Sequence, residues 1–134
     1  MAVIEGTQAL KTYSGEYDFA VDGGATSTIP LRASAGSHGD IPAGAIIENG
    51  FLEVDTGFTT GSAAQAAITV EGAGDIVAAA VVSGAPWSST GRKSIIPVAT
   101  GASSVKTTVR RSPSIVITVG TVTAGKCRVV LHYR

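Results

Sequence analysis

The stretch Ser114–Arg134, SIVITVGTVTAGKCRVVLHYR, contains two runs in which apolar side chains recur at every second position. Ile115, Ile117 and Val119 alternate with Ser114, Val116 and Thr118, and Cys127, Val129, Leu131 and Tyr133 alternate with Lys126, Arg128, Val130 and His132. A period of two belongs to a β-strand with one buried face, because successive side chains point to opposite sides of the pleat. The stretch therefore predicts two strands joined by a Gly-containing turn. In the second strand Cys127, Val129, Leu131 and Tyr133 face the core, and Arg128, Val130 and His132 face outward.

The composition agrees with this reading. Of 134 residues, 44% are hydrophobic and only 15% charged, and Gly (17), Ser, Thr, Ala and Val dominate. Such a chain is too apolar for disorder and too poor in Leu, Glu and Lys for a helical bundle, which makes the fold class all-β. A chain of this length makes one domain and buries roughly two-thirds of the surface its unfolded form exposes. The longest apolar run, Ile76–Val82, has seven residues, against the roughly 20 of a membrane-spanning helix. MAVIEGTQALK lacks the basic start and apolar core of an export signal. With a single cysteine, Cys127, the expectation is a protein made in a reducing cytoplasm, with no membrane partner.

Upstream, Met1–Gly15 has no clear periodicity and is read as an N-terminal arm, leaving 16–134 as the sandwich domain. EYDFAVDGG predicts a strand with Tyr17, Phe19 and Val21 on one side and a turn at Gly23-Gly24. STIPLRA suits a sheet edge, since Pro30 offers no N–H to a ladder, and Ser34–Gly44 is a loop by its turn residues. AIIENGFLEVDTGF contains two alternating pieces whose register changes at Asn49-Gly50 through a bulge or bend. In the second piece Leu52 and Val54 oppose Phe51, Glu53 and Asp55, so Phe51 is a candidate exposed aromatic. AAQAAITV sets Ala64, Ala66, Ile68 and Val70 on one face. GDIVAAAVVSG mixes helix-favouring alanines with strand-favouring valines and is read as a helical turn followed by extended chain. RKSIIPV and SVKTTVR are further short strands, with Pro97 marking an edge or a strand end. About eight short strands with frequent turns, and no long repeat, predict an antiparallel β-sandwich.

Charge is divided along the chain. Through Asp75 ten acidic residues face two basic ones, Lys11 and Arg32, for −8; from Ile76 onward eight basic residues and no acid give +8. Three arrangements fit. The halves neutralise each other as neighbouring strands of one fold, they form opposite patches that meet another subunit or partner, or the basic half contacts nucleic acid. Nucleic acid is the least favoured, because Trp87 and Tyr133 are the basic half's only aromatics and neither is interleaved with the cluster at Lys106–Arg111.

The sequence contains no catalytic constellation. His38 stands two residues before Asp40, a spacing that also describes a solvated loop, and no HxH, ExxH or cysteine cluster marks a metal centre. There is no G-x-S-x-G, and GGATS and TTGSAAQ lack the lysine of a phosphate loop and read as turns. Cys127, among valine and leucine, reads as a buried and inert thiol. No catalytic residue, cofactor or metal is expected.

The block Ile41–Val77, IPAGAIIENGFLEVDTGFTTGSAAQAAITVEGAGDIV, together with the ending at Ser114–Arg134, resembles small structural proteins of tailed bacteriophages, the jelly-roll capsid decoration or cement proteins. The resemblance lies in an IP-x-GA-I-I opening, a strand ending in T-x-F, a Gly/Ser turn, an A-x-I-x-V strand, a Gly-Asp step, and TAGK turning into a last strand that ends in tyrosine. It covers about half of the chain. It implies a jelly-roll sandwich, a homotrimer, the major capsid protein as partner, a place on the virion's capsid surface and no catalytic residues. The division of charge between the halves has no counterpart in the pattern. Candidate interface residues are Phe51, Arg110, Arg111, Arg128 and His132. In an alternative reading, a receptor- or glycan-binding module of a phage tail fibre or tail tip, Trp87 in the loop GAPWSST is the platform on which a sugar stacks.

Overall fold

A computed structural model describes residues 10–34, 37, 39–97 and 105–134. They form β1 (Lys11–Asp18), α1 (Phe19–Asp22), β2 (Ser27–Pro30), β3 (Arg32–Ala33), β4 (Ile47–Thr60), β5 (Gln65–Thr69), β6 (Val77–Val81), β7 (Gly91–Ile95), β8 (Ser114–Thr118) and β9 (Val122–Tyr133). All strand pairing is antiparallel.

The pairing is nested. β5 pairs with β6, β4 with β7, β2 with β8 and β1 with β9, so the chain doubles back as one long antiparallel ribbon in which each pair encloses the next. Rolling that ribbon distributes the pairs between a five-stranded sheet, β3-β1-β9-β4-β7, and a four-stranded sheet, β2-β8-β5-β6. The orders β1-β9-β4-β7 and β2-β8-β5-β6 are those of a jelly-roll sandwich, with the two-residue β3 added at one edge.

The inner faces meet in one core. The five-stranded sheet contributes Tyr13, Tyr17, Leu52, Val54, Phe58, Cys127, Val129, Leu131 and Tyr133, and the four-stranded sheet Ala66, Ile68, Ile115 and Ile117. Each large aliphatic side chain buried this way contributes about 1.5–3 kcal/mol. The Tyr17 and Phe58 rings stack at 5.6 Å, and Trp87 meets Phe58 edge-on at 5.0 Å. Gly125 makes room for this cluster: with φ at +151°, a Cβ there would lie 2.6 Å from Phe58 Cγ.

Several expectations hold. Ala64, Ala66, Ile68 and Val70 are all buried, as are Cys127, Val129, Leu131 and Tyr133. The register of β4 against β9 shifts between Ile47 and Asn49, beside the anticipated Asn49-Gly50 step. β2 is an edge strand.

The two strands expected in the closing stretch form as β8 and β9, and the topology places them in different sheets, β8 in the four-stranded one and β9 in the five-stranded one. At the corner between them Val119 takes φ of +72° and is 70% exposed. Gly120 passes so close to Ser62 that a Cβ would lie 2.4 Å from its Oγ. Other expectations are corrected. The first strand begins at Lys11 and runs opposite Tyr133 to Lys126, so Lys11–Gly15 belong to the sheet; of the expected arm, Met1–Ala9 lie outside the described residues. That strand stops at Asp18, whose carboxylate accepts from Ala20 N at 3.0 Å and caps α1, so Phe19 and Val21 do not continue it. GDIVAAAVVSG contains the strand β6 and no helix, since pairing with β5 outweighs alanine's helix preference. Within SVKTTVR the described residues make no named strand. Thr107 is buried there, donating to Pro42 O at 2.6 Å and accepting from Ala45 N at 3.0 Å, which ties this segment to the loop before β4.

Candidate interaction surfaces

The outer face of the five-stranded sheet carries a row of alternating charge. In register across all five strands stand Arg32 (β3), Glu16 (β1), Arg128 (β9), Glu53 (β4) and Arg92 (β7). Arg32 lies 3.4 Å from Glu16, and Glu53 takes Arg128 at 3.1 Å and Arg92 at 3.5 Å. Cross-strand neighbours of opposite sign are the favourable pairing on a pleated face. Arg32 also reaches Asp22 at 3.1 Å, and that hydrogen bond is the largest cause raising its pKa.

The division of charge along the chain is thereby resolved inside one fold. Arg92, Arg110, Arg111, Arg128 and Arg134 of the basic half pair with Glu53, Asp40, Glu71, Glu53 and Glu48 of the acidic half. This is the first of the three arrangements. The nested topology produces it, because antiparallel pairing of early with late strands brings the two halves side by side.

Of the five candidate interface residues, Phe51, Arg128 and His132 share the outer face of the five-stranded sheet. Phe51 is half-buried, not free, with the Arg92 guanidinium 4.3 Å above its ring. His132 Nδ1 sits 3.3 Å from Thr12 Oγ1 on the neighbouring strand. Val130, expected outward, is only 7% exposed, flanked in register by Ser14 and Phe51. It offers no apolar surface.

Arg110 and Arg111 stand apart from these three, in the segment before β8. Arg110 is exposed and 3.8 Å from Asp40. Arg111 closes a tighter arrangement: its Nε and Nη2 donate to Glu71 Oε1 and Oε2 at 3.0 and 3.2 Å, while the Thr108 amide and hydroxyl donate to the same carboxylate at 3.0 and 2.8 Å. Four donors hold the Glu71 carboxyl down to about 2, with Arg111 the largest cause. The contact ties the β5–β6 turn to the segment preceding β8.

Trp87 does lie in a loop, but its side chain is fully buried against Phe58, and its carbonyl accepts from Phe58 N at 3.0 Å. The exposed aromatic platform on which the glycan reading rested is absent. A lone tryptophan between turn residues is compatible with a surface or a core position, and the nearby sequence carries no alternation to decide it. His38 lies outside the described residues, and among the described residues no three His, Cys, Asp or Glu side chains gather at a spacing for a metal. No described helix is long and apolar enough to cross a membrane.

The sequence reading missed the other face. The outer side of the four-stranded sheet holds a groove of about 480 Å³ lined by Thr28, Ala67, Val116, Thr118, Ala78 and Ala79, with the Glu71–Gly74 turn at one end. The strands STIP, QAAIT, VAAAV and SIVIT contain no charged residue. That signal was legible, but only the topology shows that these four segments form one sheet.

Two phage capsid structures contain a chain of this fold. One, from the capsid asymmetric unit of cyanophage Pam1, matches 92% of this chain and 83% of its own length at 18% identity, with a TM-score of 0.59. The other, from the acid-stable capsid of Helicobacter pylori bacteriophage KHP30, matches 93% of this chain and 86% of its own at 12% identity, also with a TM-score of 0.59. No protein-family model matches the sequence, and no curated protein does. At such identities the likeness is one of fold, extending over nearly the whole sandwich.

Proposed function

We propose that this chain is a non-enzymatic structural protein of a tailed-phage virion, a decoration or cement protein that binds the outside of the capsid shell as a homotrimer. The observation that carries this reading is the near full-length match of the sandwich to chains within two phage capsid structures. The sequence pattern at Ile41–Val77 and Ser114–Arg134 supports it independently. A cement clamps neighbouring shell subunits where they meet, so expansion or bursting must also break the clamp's own contacts, and binding stabilises the assembled state by mass action. A rigid sandwich with its charges largely paired internally suits that work, since it presents fixed surfaces and spends little on ordering when it docks. The major capsid protein is the partner this role requires, and the virion surface its place after synthesis in the host.

Quantifying the chain in purified virions tests the proposal. Copies in proportion to shell subunits, with the chain accessible to antibody on intact heads and heads lacking it bursting at lower temperature, are expected. Copies in proportion to tails would overturn the shell assignment.

A further inference from the structure

We propose that copies of this chain meet through the outer face of the four-stranded sheet, β2-β8-β5-β6, arranged around the symmetry axis of the oligomer. The inference rests on the trimeric reading above and adds to it the surface that makes the contact.

Charge argues for a second copy as the occupant. A face that surrounds a symmetry axis lies close to its own image, so one-sign charges on it are brought together with their like. The outer face of the five-stranded sheet would set Lys126 and the Arg32-to-Arg92 row near their copies. The four-stranded sheet brings no charge at all, because none of its strands contains Asp, Glu, Lys or Arg. Glu71, at the end of the groove, is already engaged by Arg111 and Thr108.

The sheet edges point the same way. Exposed edges are ordinarily kept apart by shortness, charge or proline. β3 is two residues long, β7 carries Arg92 and Lys93, and β2 places Pro30 in its ladder. β6, VAAAV, has neither charge nor proline. Its one departure from a plain edge is a bulge in the pairing with β5, itself a feature that blunts an edge, and Ala78 and Ala79 at that bulge both line the groove.

Shape supplies complementarity. Ala67, 5% exposed, forms the floor of a groove walled by small side chains, and Val81 stands 37% exposed on the β6 edge. In a ring, the β6 edge of one copy can set Val81 against the groove of the next. Such a contact is heterologous and closes by rotation.

The mass of the full chain in solution, measured by sedimentation velocity across a concentration series, tests this. The parent is expected as a trimer; Ala79→Lys and Thr118→Lys should each reduce the mass threefold with near-ultraviolet circular dichroism unchanged, whereas Lys93→Glu on the opposite sheet should keep the parent's mass. Lysine variants that stay trimeric overturn this contact and leave the trimer standing; a monomeric parent overturns both. Should a lysine variant fold poorly, hydrogen exchange on the parent decides instead. Protection at Ala78–Val81 and Val116–Thr118 that rises with concentration supports the contact, and exchange independent of concentration sinks it.

Discussion

Arg128 Nη2 lies 3.1 Å from Glu53 Oε1, joining directly opposed positions of β9 and β4 and, with them, the basic and acidic halves of the chain. Both side chains are partly exposed, so each pair is worth only about 0.2–1 kcal/mol. A double-mutant cycle of Glu53→Ala and Arg128→Ala should give a coupling in that range at low salt. Near molar salt, where the screening length falls to about 3 Å, the coupling should vanish. Coupling that ignores salt would mean the row acts by packing rather than by charge.

Leu131, three positions along the same strand, is fully buried in the shared core. Leu131→Ala should cost about 2–5 kcal/mol in urea unfolding, since the cavity left behind adds to the lost transfer energy. Arg128→Ala should cost less than about 1 kcal/mol. Equal costs for the two would contradict the register of β9.

Trp87 should report its burial directly. Its fluorescence is expected to be blue-shifted, resistant to iodide quenching and unchanged by added sugars. Trp87→Phe should lower the unfolding midpoint, because the indole packs against Phe58. Red-shifted emission quenched freely by iodide would restore the exposed platform.

Glu71 gives a signed pH dependence. Its folded value of about 2 lies below the ordinary 4.5, so the stability it contributes is present above about 4.5 and is lost as pH falls toward about 2. The parent's unfolding midpoint should fall over that window. Glu71→Gln, with no proton to gain, should start less stable at neutral pH and show a shallower fall. Parallel pH profiles for the two would show that the Arg111 and Thr108 contacts contribute nothing.

Cys127 should be inert to thiol reagents in the folded protein and react on unfolding. Burial, with the charge of Asp55 adding to it, pushes its thiol up to about 12, so almost no thiolate exists at pH 8. Stoichiometric labelling of native protein within minutes would contradict the closed core around it.

What the sequence by itself determined is the local periodicity. Alternation at Cys127–Tyr133 and at Ala64–Val70 is dictated by the pleat, which sends successive side chains to opposite faces whatever the neighbouring strand is. The same indifference explains what it left open. An alternating run such as Ser114–Thr118 looks alike whether its neighbour is β9 or β5, so the separation of β8 from β9 into different sheets was decided by the nested pairing of the whole chain. Val130 reads as outward by alternation yet is covered, because Phe51 and Ser14 arrive beside it from strands distant in sequence. Trp87 reads as a loop aromatic yet fills the core, because the loop between β6 and β7 is hydrogen-bonded to Phe58 of β4 and lays the indole against that ring. The division of charge was plain in the residue order. That Arg32, Glu16, Arg128, Glu53 and Arg92 form one row, and that four uncharged segments form one face, was decided only when early and late strands became neighbours in the folded sandwich.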